Sequence, residues 1–305
     1  MPRRLWAIDL QTHRHAEAGT LGKLRYDTQG CLYIADPGDG VVHKFDDQGN
    51  LLLRFASPRS ENLQCPQDVA IDRHGDLFVA DPVLQRIARF DRDGHWKGSF
   101  ATEVRPLRIA IDRNDVLYVH APAADGVLHR YNIQGNRLAS FGPGPGVGRA
   151  GTRQAAGDTR RTEYPVYLND TGSMVMDSRD RLYFAARGTY SVHRFSRAGR
   201  VVRSFRRRVR EKPVSVLVNG TEGVAWTVVI LDIAVSLDTR RIYVLRGHLR
   251  NKQSLVDVWS DAGEYEKQIS FDHPGASIAC DDSGNMYLLF TNAARGIATL
   301  VKYAL

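Results

Sequence analysis

DRHGDLFVADPVLQRIARFDRDGHWKGSF (72–100) is the stretch whose reading decides the fold. It opens on an Asp and a Gly-containing turn, then runs through the short apolar stretch LFVAD (77–81). A polar loop follows, then RIARF (86–90), a second turn and a last strand-like run. Gly75 and Gly94 stand at the two reversals, where a hairpin favours positive φ. The same order of parts returns as DTQGCLYIADPGDGVVHKFDDQGNLLLRF (27–55), DRNDVLYVHAPAADGVLHRYNIQGNRLASF (112–141) and DSRDRLYFAARGTYSVHRFSRAGRVVRSF (177–205). It returns more loosely as DTRRIYVLRGHLRNKQSLVDVWSDAGEYEKQISF (238–271), and a sixth copy, DDSGNMYLLFTNAARGIATLVKY (281–303), stops one strand short. Repetition at this period marks an architecture of stacked units.

Each copy is preceded by a run such as DVAID (68–72), RIAID (108–112), SMVMD (173–177) or SIACD (277–281), of strand length and ended by a turn. Every unit therefore offers four short antiparallel strands. One such sheet cannot bury both faces, whereas six arranged radially cover each face with a neighbour. The reading is an all-β fold, a six-bladed β-propeller forming one domain over 1–305. Its blades lie at about 22–56, 67–100, 107–141, 172–205, 228–271 and 276–305, with loop insertions at 142–172 and 206–228. The sixth copy lacks a fourth strand and RRLWAIDL (3–10) precedes the first, so the N-terminal strand is expected to close the ring. A second register, with residues 4–9 as a third strand and 13–18 as the fourth, fits the same pattern.

LFVAD (77–81) with RIARFD (86–91), and LYIAD (32–36) with VVHKFD (41–46), resemble the NHL repeat, and the resemblance runs over nearly the whole chain. It implies the propeller fold and no single reaction, because NHL-like propellers include protein-binding modules, RNA-binding modules and a few lyases.

The 305 residues are 43% hydrophobic and 25% charged, which suits a folded domain with a substantial core. No apolar run reaches the length of a signal-peptide core or a membrane span. The chain thus reads as soluble and unexported, cytoplasmic unless a start lying upstream supplies an export signal, and as a monomer. Cys31, Cys65 and Cys280 form no CxxC pair and read as buried small side chains without a zinc role.

The net charge of +8 is unevenly spread. Residues 1–100 hold 13 basic and 14 acidic side chains, whereas 137–212 hold 17 and 6. The two insertions and the long connection at 246–254 are all expected on one face, around blades four and five. They carry Arg149, Arg153, Arg160, Arg161, Arg206, Arg207, Arg208, Arg210 and Arg246, a candidate surface for a protein or an anionic polymer. Nucleic acid is a further alternative; its aromatic platforms would be Tyr164, Tyr167, Tyr190 and Trp226.

Chemistry is less well signalled. His43, His129 and His193 occupy one repeat slot, held by Ala88 in the second copy, and read as packing residues of separate blades. The lyase of peptide amidation, an NHL-like propeller, uses His ligands at its channel mouth; here His120 and His248, at or beside the loop leaving the second strand, are with Arg108 the candidates for a propeller lyase or hydrolase. That alternative would carry a calcium or zinc ion in the central channel, whereas the binding reading expects no cofactor. TEGVAW (221–226) is similar to the EGPxW element of sugar lactonases but lacks its Pro. No GxSxG, HExxH or GK[ST] motif is present, so the sequence favours a non-enzymatic binding or scaffold propeller. Asp36 and Asp81, at the ends of the LYVAD-like strands, are expected to accept hydrogen bonds from loop amides.

Overall fold

The computed structural model describes residues 2–11, 21–123, 125–142, 172–186, 190–207, 213–218, 221–226, 228–236, 240–248, 253–292 and 297–305. Strand β1 spans Arg3–Gln11. Blade one is β2 (Leu24–Tyr26), β3 (Leu32–Asp36), β4 (Val41–Phe45) and β5 (Leu51–Phe55). Blade two is β6 (Asp68–Ile71), β7 (Leu77–Asp81), β8 (Arg86–Phe90) and β9 (Trp96–Ala101). Blade three is β10 (Arg108–Ile111), β11 (Val116–Ala123), β12 (Gly126–Asn132) and β13 (Arg137–Phe141). Blade four follows as β14 (Gly172–Met176), β15 (Leu182–Ala186), β16 (Ser191–Phe195) and β17 (Val201–Arg206). A separate hairpin, β18 (Pro213–Val218) with β19 (Thr221–Trp226), lies in the second insertion. Blade five is β20 (Val228–Ser236), β21 (Arg241–His248), β22 (Ser254–Ser260) and β23 (Tyr265–Phe271). Blade six is β24 (Gly275–Cys280), β25 (Met286–Asn292) and β26 (Ile297–Ala304), completed by β1. The architecture is a six-bladed propeller of four-stranded antiparallel sheets, and the described residues contain no α-helix.

The leading Asp of the copies has a physical reason, seen in copies one to four and six. Asp72 Oδ1 accepts the amides of His74 and Asp76 (2.8 and 2.9 Å), holding the turn from which β7 departs. Asp27 does the same for Gln29 and Cys31, and its second oxygen takes the Tyr33 hydroxyl at 2.9 Å. Tyr118 reaches Asp112, and Tyr287 reaches Asp281, in the same way. Gly75 and Gly94 adopt φ of +86° and +92°. In copies three and four Asp115 and Asp180 hold the slot of Gly75 at φ of +59° and +57°, a conformation that Asp tolerates better than most side chains.

The strands LYIAD and LFVAD are buried at every position, as radial stacking demands. Tyr33 and Phe55 of blade one pack with Val69, Val79 and Phe90 of blade two in one apolar cluster. Phe90 meets Phe55 and Trp96 edge-on at 5.8 and 5.2 Å. Such pairs add about 0.5–1.5 kcal/mol beyond burial.

Closure uses the first of the two registers. β1 pairs antiparallel with β26, Ala7 opposite Val301 and Asp9 opposite Thr299, so residues 4–9 lie within a single outermost strand. Trp6, Ile8 and Leu10 pack against the core between blades six and one. The expected loop-amide bonds are present: Gly38 and Asp39 donate to Asp36, and Gln64, Cys65 and Leu84 to Asp81. The cysteines differ from expectation. Cys280 is buried, but Cys31 and Cys65 are only half-buried, and all three are free thiols. No helix among the described residues is long and apolar enough to cross a membrane.

Candidate functional site

The first strand of each blade faces the axis, and one slot at its start collects charge. Reading round the ring, that slot holds Lys23, Asp68, Arg108, Ser173, Asp232 and Ser277. Several of these side chains bond to the next blade. Asp68 accepts the amide of Ile109 (3.2 Å), Asp232 that of Ile278 (3.2 Å), and Ser277 Oγ that of Leu24 (2.9 Å). Asp232, wholly buried, also takes the hydroxyls of Ser173 and Ser277 and its neighbour's amide, Ile233 N, at 3.0 Å. Burial alone would raise its pKa, but Lys23, Arg25 and the two serines hold it below the usual carboxylate range. Lys23 donates to Leu231 O at 2.6 Å and stands 3.4 Å from Asp232. Desolvation pulls its pKa down to about 8.

Two residues further along, the slot is small: Ala70, Ala110, Val175, Ala234 and Ala279. Blade one places Arg25 there. Its guanidinium donates to Asp68 (2.7 Å) and to Met174 O (3.2 Å) of blade four, directly across the ring, and lies 3.8 Å from Asp232 of blade five. With 11% of its side chain exposed, Arg25 bars the axis. Beyond it a cavity of about 470 Å³ follows the first strands of all six blades to the face of the first-to-second-strand turns. Its walls are apolar and its mouth carries Asp27, Asp72, Asp112, Asp177, Asp180 and Asp282 against Arg73 and Arg113. Sequence reasoning missed this arrangement, although KLRYD (23–27) against DVAID and RIAID displays the Arg in an Ala slot.

Of the sequence candidates, Arg108 stands in the axial ring, its Nη1 donating to Leu107 O at 2.6 Å. His120 is its cross-strand partner. The ring is 1% exposed, lies 4.9 Å from Phe184, and is driven down to about pH 3 by burial and then by Arg108, so it is a neutral imidazole. Its Nδ1 has no hydrogen-bond partner among the described residues. His248 ends β21 opposite Val228; nothing further is described of its side chain. His43, His129 and His193 each bond within their own blade, to Asp36, to Ala121 O and Ser140, and to Ser204.

Arg206 is exposed at the end of β17. Arg246 is not on a loop: it is 3% exposed within β21, its Nε 2.8 Å from Asp257. Arg207 joins the same carboxylate at 2.9 Å, 33% exposed, with its guanidinium 4.2 Å from the Tyr265 ring centre. Tyr190 is buried, under Arg246 and hydrogen-bonded by Trp259. Arg149, Arg153, Arg160, Arg161, Arg208 and Arg210, with Tyr164 and Tyr167, lie outside the described residues, and Trp226 ends β19. Among the described residues one group has the geometry to hold a metal, Asp91, Asp93 and His95, on the outer turn of blade two and away from the channel. There Asp91 already accepts two turn amides and the His95 ring.

No family model matches the chain, and no curated protein matches it by sequence. Solved structures do resemble it. A member of the DUF4221 family from Bacteroides vulgatus has a TM-score of 0.67 at 9% identity, covering 100% of this chain and 98% of its own. A catalytically inactive virginiamycin B lyase from Staphylococcus aureus, with quinupristin, has 0.57 at 11%, covering 95% and 83%. The β-propeller domain of Cps50 (Swd1) from Myceliophteria thermophila has 0.56 at 11%, covering 99% of both. These likenesses establish the fold alone.

Proposed function

We propose that this is a propeller of NHL-type repeats that binds without catalysing, seating a protein or polymer of anionic surface on its loop-rich face over blades three to five. The observation that carries the reading is the junction of blades four and five. There Arg207 and Arg246 share the single carboxylate of Asp257, and Arg206 stands exposed beside them. A surplus of guanidinium next to Tyr265 suits a carboxylate, sulfate or phosphate group arriving from outside. In the proposal Arg149, Arg153, Arg160, Arg161, Arg208 and Arg210 extend this surface. A rigid ring with variable loops serves recognition well, since loops change without disturbing the strands.

The test is retention on immobilised heparin as a model polyanion, followed against salt. Replacing Arg206, Arg153, Arg160 and Arg161 by Glu should lower the eluting salt concentration, because each lost phosphate-like contact releases about one fewer counterion. Unchanged elution would sink the proposal. Elemental analysis of untagged protein addresses the alternative, a metal-dependent lyase or hydrolase using His120, His248 and Arg108: a stoichiometric metal would favour it.

A further inference from the structure

We propose that the axial cavity on the face opposite the basic loops is a binding site for a small amphipathic amine, an unbranched apolar chain ending in a primary ammonium. Its volume of about 470 Å³ exceeds what one inserted side chain fills. It falls within the roughly 300–1,000 Å³ typical of small-molecule sites. The bore exists because five of the six blades place Ala or Val at the slot that faces it, namely Ala70, Ala110, Val175, Ala234 and Ala279.

The two ends of the cavity differ. At the closed end three of the five N–H donors of Arg25 are already directed at Asp68, Leu24 O and Met174 O, and the weakly hydrated guanidinium forms the floor. At the open end six aspartates face two arginines. Asp177 and Asp180 are paired with Arg181 and Arg197, and Arg73 lies 3.7 Å from Asp115. Asp27, Asp72 and Asp112, on three adjacent blades, accept hydrogen bonds from neutral N–H and O–H donors. Carboxylates round a low-dielectric opening focus a negative potential there and favour a cation. The strand segment between Arg25 and these acids spans about two residues, so roughly 7 Å separates floor from rim. An extended chain advances about 1.3 Å per carbon, so a chain of about five carbons fits the roughly 7 Å depth with its head at the acids. This site is independent of the loop-face reading, since it uses none of the same residues.

Titration calorimetry with pentylammonium and pentanoate on the full chain tests the proposal. Pentylammonium should bind at one site per chain and pentanoate at least tenfold more weakly. Ala110→Phe, which fills the bore, should abolish binding. Asp72→Asn, which keeps the Oδ1 that accepts the turn amides, should weaken binding severalfold even if the bulkier variant does not fold. The proposal is overturned if pentylammonium does not bind, if pentanoate binds as well, or if Asp72→Asn leaves the affinity unchanged.

Discussion

Arg25→Ala is the perturbation that most directly tests the reading of the axis. The substitution leaves Asp68, wholly buried, with the amides of Val69 and Ile109 and the field of Arg108, and takes one of two cations from Asp232. Removing one partner of a buried ion pair costs about 3–5 kcal/mol, because the remaining charge is buried and undercompensated. The pair itself is worth much less than that. Replacing Asp68 as well by Ser restores a combination the ring already uses, since Ala70, Ala110, Ala234 and Ala279 occupy the one slot and Ser173 and Ser277 the other. The double variant should therefore lie within about 1–2 kcal/mol of the original chain. Urea unfolding followed by tryptophan fluorescence measures all four corners of the cycle. The reasoning is refuted if Arg25→Ala costs less than about 1 kcal/mol, or if Asp68→Ser adds its own full loss on top.

Two further outcomes follow from packing and protonation. Trp6 fills the seam between blades six and one, 5.9 Å from the Tyr287 ring and donating to Asp47 O at 3.1 Å. Trp6→Ala should cost about 2–3 kcal/mol in thermal or urea unfolding, and an unchanged midpoint would mean that β1 does not hold the ring closed. His120, near 6.5 when unfolded and about 3 when folded, contributes stability that is whole above pH 6.5 and is lost as pH falls towards 3. Between pH 7 and pH 5 the loss should be about 2 kcal/mol. His120→Phe should flatten that part of the profile; an equal slope in both proteins would contradict the buried neutral imidazole.

The fold was legible because the residues that define the repeat act locally. An Asp capping its own turn, as in copies one to four and six, and a strand buried on both faces leave a repeated mark, whatever lies beyond. The closing register was open in sequence, since RLWAID also fits a third strand; only the pairing of β1 with β26 resolves it. The axial site was hidden for the converse reason. Arg25 meets Asp68, Met174 and Asp232, positions 43 to 207 residues away, and one local window shows only a charged residue in a small slot. Arg246 was placed on a loop because the fifth copy is loose. β21 runs to His248, which puts the guanidinium inside the sheet, where Asp257 of the adjacent strand neutralises it.

The closing strand also fixes an order of events during synthesis. β1 precedes every blade in the chain, yet its hydrogen-bonding partner β26 follows all of them, with Asp9 and Thr299 290 residues apart. The blades have local contacts and can form as they emerge, whereas Trp6, Ile8 and Leu10 stay uncovered until the last strand is made. For most of the ribosome's passage along the message, the nascent ring is an open arc with an apolar ribbon trailing from its oldest end.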